Sequence, residues 1–115
     1  KKYFDKNIEV LNAPIYSDSN YWLCCIKLRS KKNVVKKSID FLKKKGIKAR
    51  PVWKLLPFQK QFSAFQKFDV KNSRKFINNT LCIPSSTSLK RKEIKKIALN
   101  INLLAKKINK NEKKN

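Results

Sequence analysis

Hydrophobic and polar positions alternate along this chain in patterns that predict strands and helices in turn. Residues 21–28, YWLCCIKL, place apolar side chains on both faces of an extended segment and form the clearest strand. Two apolar faces are typical of a central strand that is covered twice, so we expect Tyr21 and Trp22 to lie in the core. Shorter strands are predicted over 47–52 and 80–83.

Helical periodicity is strongest towards the end of the chain, over residues 89–108. The apolar stripe of this helix consists of Ile94, Ile97, Ala98, Ile101, Leu104, Ala105 and Ile108. A second helix is predicted over 33–45, where Gly46 supplies a left-handed stop, and a short third helix is predicted over 72–78.

Two segments have weaker patterns. Residues 2–11 predict a helical turn that leads into an extended stretch. Phe62, Phe65 and Phe68 recur at a spacing of three, which favours the buried face of a helix over a binding stripe. With a polar loop at 84–88, the order of elements predicts the α/β class, as a two-layer α+β domain in which helices pack on a short sheet.

Composition limits the domain organisation. The 115 residues fit one domain, over 1–108, followed by a charged tail, 109–115, that we expect to fray. The chain begins with Lys1 and contains no methionine, so we interpret it as a piece of a longer protein. These residues contain neither the apolar region of a secretory signal nor the roughly 20 consecutive apolar residues that a membrane span requires, and we expect a cytoplasmic protein.

The net charge of +23 raises the hypothesis of a free-standing protein that binds nucleic acid. Only four of the 30 basic residues are arginine, and the lysines are spread over nearly all segments. Nucleic-acid sites favour arginine and aromatic side chains along a shared track. A solvated lysine-rich surface is therefore the favoured interpretation, and nucleic-acid binding is the competing one.

Histidine-based catalysis and metal binding are excluded within these residues, because the chain contains no histidine. The three cysteines, Cys24, Cys25 and Cys82, lack the spacing of metal ligands and lie in apolar, strand-like segments. We expect buried, reduced thiols and no metal site.

The segment 46–58, GIKARPVWKLLPF, concentrates the unusual residues of the chain. It contains the only glycine, two of the four prolines and one of the two tryptophans. Arg50 stands here among apolar and aromatic neighbours, at the end of a predicted strand. A guanidinium in that position can bind a carboxylate or diphosphate through two parallel hydrogen bonds. A salt bridge or a contact with helix-end carbonyls is the alternative role for Arg50.

Three stretches, taken in order, resemble one enzyme family. They are NYWL at 20–23, GIKARPVW at 46–53 and LCIPSS at 81–86, the last placed before Leu89 and Glu93-Ile94. From about residue 3 to residue 107 the chain resembles the C-terminal part of the DegT/DnrJ/StrS aminotransferases. The RPVW form is similar to the branch that acts on 4-keto-6-deoxy-N-acetylhexosamine nucleotides.

This resemblance implies the small C-terminal domain of a homodimeric enzyme with the aspartate-aminotransferase (type I) fold. Such an enzyme uses pyridoxal 5'-phosphate to transfer an amino group from an amino acid, with glutamate expected, to a nucleotide-linked 4-keto sugar for surface polysaccharides. The lysine that binds the cofactor would lie in a large domain outside these residues. We therefore assign no catalytic residue to this chain and expect it to position substrate.

The resemblance implies substrate-binding roles for four residues, Arg50, Trp53, Ser85 and Ser86. Trp53 would form a wall beside the sugar or nucleotide, although packing against the neighbouring domain is the favoured alternative. Ser85 and Ser86 would reach substrate hydroxyls, although bonding within the turn is favoured for both.

The chain departs from the family pattern at two positions. Pro57 stands where relatives often carry a histidine near the substrate, which puts the expected sugar contacts in doubt. Lys90 stands where relatives often carry a threonine or serine helix cap, a loss of ~1 kcal/mol unless Ser88 substitutes. A third hypothesis, beside the aminotransferase and the nucleic-acid binder, is an inactive remnant that exposes the stripe of its last helix.

Overall fold

The computed structural model describes residues 2–113 of the chain. Within them lie four strands and three α-helices: β1 (Ile8–Val10), β2 (Cys24–Leu28), α1 (Val35–Lys44), β3 (Arg50–Pro51), α2 (Lys71–Ile77), β4 (Thr80–Ile83) and α3 (Arg91–Glu112). Two 3-10 turns, Leu56–Phe58 and Lys60–Phe62, lie between β3 and α2. None of the helices within residues 2–113 is both long and apolar enough to cross a membrane.

The four strands form one antiparallel sheet in the order β1-β2-β4-β3. Ile26 of β2 pairs with Val10 on one side and with Leu81 on the other. Arg50 of β3 pairs with Cys82 of β4. The prediction of a two-layer α+β domain is confirmed. Strand β2 is central in the sheet as predicted, but the prediction that both of its faces are covered is wrong, because Cys25 lines a pocket on the second face.

Helices α1 and α3 cover one face of the sheet, which we call the closed face. Ile26, Leu81 and Ile101 are completely buried there. Other buried members of this core are Ile8, Leu28, Val34, Leu42, Ile47, Ile83, Ile97, Leu104 and Ala105. The core is continuous from the sheet to both helices, so this layer is complete within residues 2–113.

The end of α1 confirms the predicted glycine stop. Gly46 has a φ of 70°, the left-handed conformation that glycine adopts without steric cost. The backbone N–H groups of Gly46 and Ile47 donate to the carbonyls of Lys43 and Leu42, at 3.0 and 2.9 Å. These bonds satisfy the last carbonyls of the helix and direct the chain towards β3.

Helix α3 buries most of its predicted stripe, whereas Ile94 near its start remains 41% exposed. The stripe is therefore not the exposed surface that the remnant hypothesis requires. The helix also continues to Glu112, so the prediction of a frayed tail is wrong for residues 109–112. Ser30 Oγ and the Lys31 N–H donate to the Glu112 carboxylate at 2.6 and 3.0 Å, which fastens this end. Residues 114 and 115 lie outside the described residues.

Ser88 does not replace the hydroxyl cap that α3 lacks at Lys90. The Ser88 hydroxyl lies 2.8 Å from that of Ser86 and serves the preceding turn. The Glu93 carboxylate accepts a hydrogen bond from the Lys90 N–H at 2.8 Å, and the Glu93 N–H donates to the Lys90 carbonyl at 2.9 Å. Glu93, a negative charge in the first turn, thus takes over part of the role of a hydroxyl cap.

Two weak segments differ from their predictions. Turns replace the helical turn predicted at the start of residues 2–11, whereas the predicted extended stretch is present as β1, because Ile8–Val10 completes the edge of the sheet beside β2. The helix predicted from the spacing of Phe62, Phe65 and Phe68 is replaced by 3-10 and irregular structure. Phe65 and Phe68 are 66% and 79% exposed, because the described residues provide no surface against which a helix here could bury them. The prediction that these aromatics belong to the core is wrong.

Candidate functional site

The second face of the sheet, which we call the open face, contains Arg50 and borders Trp53, two of the substrate-binding candidates from the sequence. Because directly opposed residues of antiparallel strands share a face, Cys25, Cys82 and Arg50 form one row across β2, β4 and β3. The row borders a pocket of about 430 Å³, whose walls include Leu23, Trp53 and Lys54. The strand alternation that buries Ile26 and Leu81 thus presents this row to the pocket.

Arg50 lies at the edge of the pocket with its side chain exposed. Within residues 2–113 its guanidinium has neither an ion-pair partner nor a side-chain hydrogen bond. The two structural roles that the sequence left open, a salt bridge and a helix-end contact, are therefore not found in this part of the chain. An arginine with all its donors available can take a planar anion such as a carboxylate or a phosphate group.

Trp53 stands beside Trp22, with ring centroids 5.9 Å apart and planes inclined by 46°. The two side chains are 69% and 65% exposed, so the prediction that Trp22 lies in the core is wrong. Tyr21, expected in the core as well, is 69% exposed. Trp53 lines the same pocket as Arg50, and Trp22 packs against Trp53. Aromatic rings beside a charged group are typical of sites that bind sugar rings or bases.

The reason for this exposure is local. The side chains of Ser19 and Asn20 accept hydrogen bonds from the N–H groups of Tyr21 and Trp22, both at 3.1 Å, and extend the turn by two residues. Tyr21 has a φ of 51°, a conformation that is rare for a bulky residue. Pairing within the sheet therefore begins only at Cys24, and the aromatic residues stay outside it.

Ser85 and Ser86 lie in the loop that follows β4, and the structure brings only Ser85 to the aromatic pair. The Ser85 hydroxyl donates to the Trp22 carbonyl at 2.9 Å and holds this loop beside the turn. The Ser86 hydroxyl lies 2.8 Å from the Ser88 hydroxyl and accepts from the Ser88 N–H at 3.3 Å. Both serines thus have partners within the protein, and their contact with a substrate stays a prediction.

Several apolar side chains are exposed in the segment between β3 and α2. We call them the apolar band, and they are Leu56, Phe58, Phe62, Phe65 and Phe68. The guanidinium of Arg74, in α2, lies over the Phe58 ring at 4.5 Å, and the rings of Phe62 and Phe65 are 6.1 Å apart. Pro57, where relatives often carry histidine, lies in the first 3-10 turn of this segment.

The chain belongs to the DegT/DnrJ/EryC1/StrS aminotransferase family, whose model matches residues 5–102. Spr1654 of Streptococcus pneumoniae, described as a sugar aminotransferase, is similar to it at a TM-score of 0.81 and 22% identity, over 97% of this chain and 29% of that one. PseC of Helicobacter pylori, an aminotransferase involved in the biosynthesis of pseudoaminic acid, is also similar. Its TM-score is 0.62 at 22% identity, over 72% of this chain and 23% of that one.

A third structure, the aminotransferase TlmJ of Streptoalloteichus hindustanus, has a TM-score of 0.70 at 12% identity, over 85% of this chain and 26% of that one. The chain therefore spans less than a third of the length of each of these proteins. At these identities the likeness defines the fold, which is that of a small domain of the type I pyridoxal-phosphate aminotransferases.

The residues around the pocket do not fit pyridoxal phosphate on their own. A protonated pyridine nitrogen needs a facing carboxylate, and none of the carboxylates within residues 2–113 lines this pocket. Lys54 is the only amine among the lining residues. The donor set found here, a free guanidinium beside aromatic and thiol groups, is suited to holding an anionic, ring-containing substrate.

Sequence reasoning missed Trp22 and the pairing of Cys25 with Cys82. Asn20 offered a signal for Trp22, because an asparagine two residues before a strand residue often bonds that residue's N–H and prolongs a turn. No signal in a single sequence aligned Cys25 with Cys82, because the register of β2 against β4 joins segments 57 residues apart.

Proposed function

We propose that this chain is the substrate-positioning small domain of an enzyme that transfers an amino group from an amino acid to a nucleotide-linked 4-keto sugar. Membership of the aminotransferase family supports the class of reaction. The observation that carries the role of this chain is Arg50, exposed and without a partner in residues 2–113, at the edge of a pocket that Trp53 also lines.

Arg50 would bind the diphosphate of the nucleotide sugar, or the carboxylate of the amino donor, for which we expect glutamate. A planar guanidinium holds either anion through two parallel hydrogen bonds and so fixes its orientation as well as its charge. Trp53 and Trp22 would cover one face of the sugar or nucleotide. Ser85 and Ser86 would contribute hydroxyl contacts at the loop side of the pocket.

In this proposal pyridoxal phosphate supplies the electron sink for amino transfer, and residues beyond this chain hold it. The residues of this chain orient the substrate and keep water from one side of it. We further propose a homodimer, a cytoplasmic location and a role in surface-polysaccharide sugars. The similarity to PseC, an aminotransferase involved in the biosynthesis of pseudoaminic acid, supports the choice of a sugar as substrate.

The test uses the native polypeptide that carries these residues. Amino transfer from glutamate to a uridine-diphosphate 4-keto-6-deoxy-N-acetylhexosamine is followed for the wild type, Arg50→Ala and Arg50→Lys. Because a charged bidentate contact contributes about 1.5–3 kcal/mol, Arg50→Ala should lower kcat/KM by about 10- to 100-fold. Arg50→Lys should recover only a small part of the lost kcat/KM, since lysine cannot form two parallel hydrogen bonds to one anion.

Arg91→Lys is the matched control, because Arg91 is an exposed arginine at the start of α3, hydrogen-bonded to the Tyr3 hydroxyl at 3.3 Å and not part of the pocket lining. Its kcat/KM should equal that of the wild type. A native polypeptide without amino transfer to any 4-keto nucleotide sugar would overturn the proposal. Equal losses in Arg50→Lys and Arg91→Lys would overturn the role of Arg50.

A further inference from the structure

Two thiols on the open face lie close enough to be joined by a disulfide when an oxidant is present. The Sγ atoms of Cys25 and Cys82 are 3.5 Å apart, although the residues are separated by 57 positions in sequence. Both cysteines are free, Cys82 buried and Cys25 half-buried at the wall of the pocket. The contact does not depend on any assumption about the reaction of the enzyme.

The backbone around the pair has the geometry that a cross-strand disulfide requires. The Leu28 N–H donates to the Asn79 carbonyl at 2.9 Å on the β4 side, whereas the Cys25 carbonyl accepts from the Leu11 N–H at 3.0 Å on the β1 side. Since successive residues of a strand turn their backbone groups to opposite neighbours, Cys25 and Cys82 form a non-hydrogen-bonded pair.

In such a pair the Cα atoms lie about 4.5 Å apart and the side chains approach more closely than in a hydrogen-bonded pair. Disulfides span Cα separations of about 4.4–6.8 Å, so the pair falls inside this window, near its short end. Closure therefore requires the two sulfur atoms to rotate towards each other, and it leaves the register of β2 and β4 in place.

Cys24 provides a contrast within the same strand. It pairs with Ile83 and packs against the helix-covered core, so its side chain lies on the closed face. Adjacent residues of a strand point to opposite faces, and Cys24 is directed away from Cys82. Of these two neighbouring cysteines, only Cys25 lies on the same face of the sheet as Cys82.

We propose that Cys25 and Cys82 form a reversible disulfide, closed by a low-molecular-weight disulfide such as oxidised glutathione, in the wall of the Arg50 pocket. The first step joins one glutathione sulfur to Cys25 Sγ and releases the other as a thiol. The Cys82 sulfur then attacks Cys25 Sγ, forms the intramolecular bond and expels the second glutathione, which leaves with the proton of Cys82. Two cysteine sulfurs are oxidised and the two sulfurs of the reagent are reduced.

The surroundings of Cys25 slow the formation of this disulfide. Burial raises the pKa of Cys25 to about 11, the Cys82 thiol adds to the rise, and the positive charge of Arg50 acts in the opposite direction. Because the thiolate is the attacking form, a Cys25 thiol with a raised pKa reacts slowly at neutral pH. Cys25 and Cys82 line the same pocket as Arg50. Formation of the disulfide therefore changes the pocket wall beside Arg50.

The experiment equilibrates the full chain in buffers of increasing ratio of oxidised to reduced glutathione, followed by acid quenching, mass measurement and tryptic mapping. We expect two of the three thiols to disappear together, with one disulfide that joins the peptides 7–27 and 76–90. Closing a loop of this length should lower the unfolding equilibrium constant by about 10- to 1,000-fold, measured in urea with and without reductant.

Cys24→Ala is the matched control. It should close at the same glutathione ratio, within about twofold, and it leaves a single cysteine in peptide 7–27, so the map identifies Cys25 without ambiguity. Cys25→Ala and Cys82→Ala should form no intramolecular disulfide. If Cys82→Ala does not fold, the inference is tested with two other variants. Cys25→Ser should form no intramolecular disulfide, and the tryptic map of Cys24→Ala should show the bond between Cys25 and Cys82.

Three results would overturn the inference. One is a wild-type chain that accumulates a glutathione adduct on Cys25 at every ratio and never closes. Another is a disulfide that uses Cys24, and the last is a disulfide formed only between two chains. Amino transfer is not measured in this experiment, so its outcome is independent of the proposed enzymatic function.

Discussion

The two faces of the sheet use alternate residues of the same strands for opposite purposes. On the closed face, Ile26 and Leu81 are completely buried beneath α1 and α3. On the open face, Arg50 is exposed and the thiols of Cys25 and Cys82 line a pocket. Because the period of a strand is two, a single strand can supply both layers, and a change on one face leaves the other in register.

The difference teaches where stability and recognition reside. The closed face satisfies its apolar side chains within residues 2–113, so it determines whether the domain folds. Trp53, which lines the pocket of the open face, is exposed together with its neighbour Trp22, and so is the apolar band. An apolar surface of this kind next to an unpartnered arginine is typical of a binding site or an interface.

The largest expected effect lies on the closed face. Ile101→Ala should lower the free energy of unfolding by about 2–5 kcal/mol, because Ile101 is completely buried in α3 and the cavity cannot collapse freely. Leu99→Ala, in the same helix but 60% exposed, is the control and should change it by less than about 0.5 kcal/mol. Urea unfolding measures both, and similar losses in the two variants would contradict the division into faces.

A substitution in the turn between α1 and β3 should have an intermediate effect on the free energy of unfolding. Gly46→Ala should destabilise the fold by about 1–2 kcal/mol, because an L residue at a φ of 70° is strained although a Cβ would meet no atom within 4 Å. Gly46→Asn should lose less, since asparagine tolerates the left-handed region. Equal stability of Gly46→Ala and the wild type in urea would show that the end of α1 accommodates alanine without a loss in the free energy of unfolding.

On the open face, Trp53→Ala should change the free energy of unfolding by no more than about 1 kcal/mol. The side chain is 69% exposed and its aromatic contact is with Trp22, itself exposed. Ligand binding should suffer more than stability does, if the aromatic pair covers a substrate. A loss of stability as large as that of Ile101→Ala would assign Trp53 to the core.

The smallest effect concerns the end of α3 and depends on pH. Hydrogen bonds from Ser30 and from the Lys31 and Lys32 backbone, with the positive charge of Lys32, lower the pKa of Glu112 below its ordinary value of 4.5. The carboxylate therefore stabilises the fold above pH 4.5, and this contribution disappears as the pH falls through the lowered value. Glu112→Gln should be slightly less stable at pH 7 and equal to the wild type in strong acid.

Much of the fold could be predicted from the sequence. The stripe of α3, the amphipathic α1 with its glycine stop, and the apolar run of β4 are local patterns, and each occurs close to its predicted place. The family could also be recognised, because its motifs are short and occur in a set order. Arg50 was identified as a candidate for the same reason: its neighbours in sequence are its neighbours at the strand end.

The rest required contacts between distant segments. Whether Trp22 is buried depends on where β2 begins, and the side chains of Ser19 and Asn20 decide that. The length of α3 depends on Ser30 and Lys31, more than 80 positions before Glu112. The contact of Cys25 with Cys82 depends on the register of two strands.

Local periodicity thus determined the elements and the class of this protein, because a helix or strand is selected by residues a few positions apart. Tertiary structure decided which face of each element is covered, because burial requires a partner surface that no local pattern specifies. Phe65 and Phe68 show this most directly: their spacing is that of a helix core, yet residues 2–113 offer them no surface, and they remain exposed.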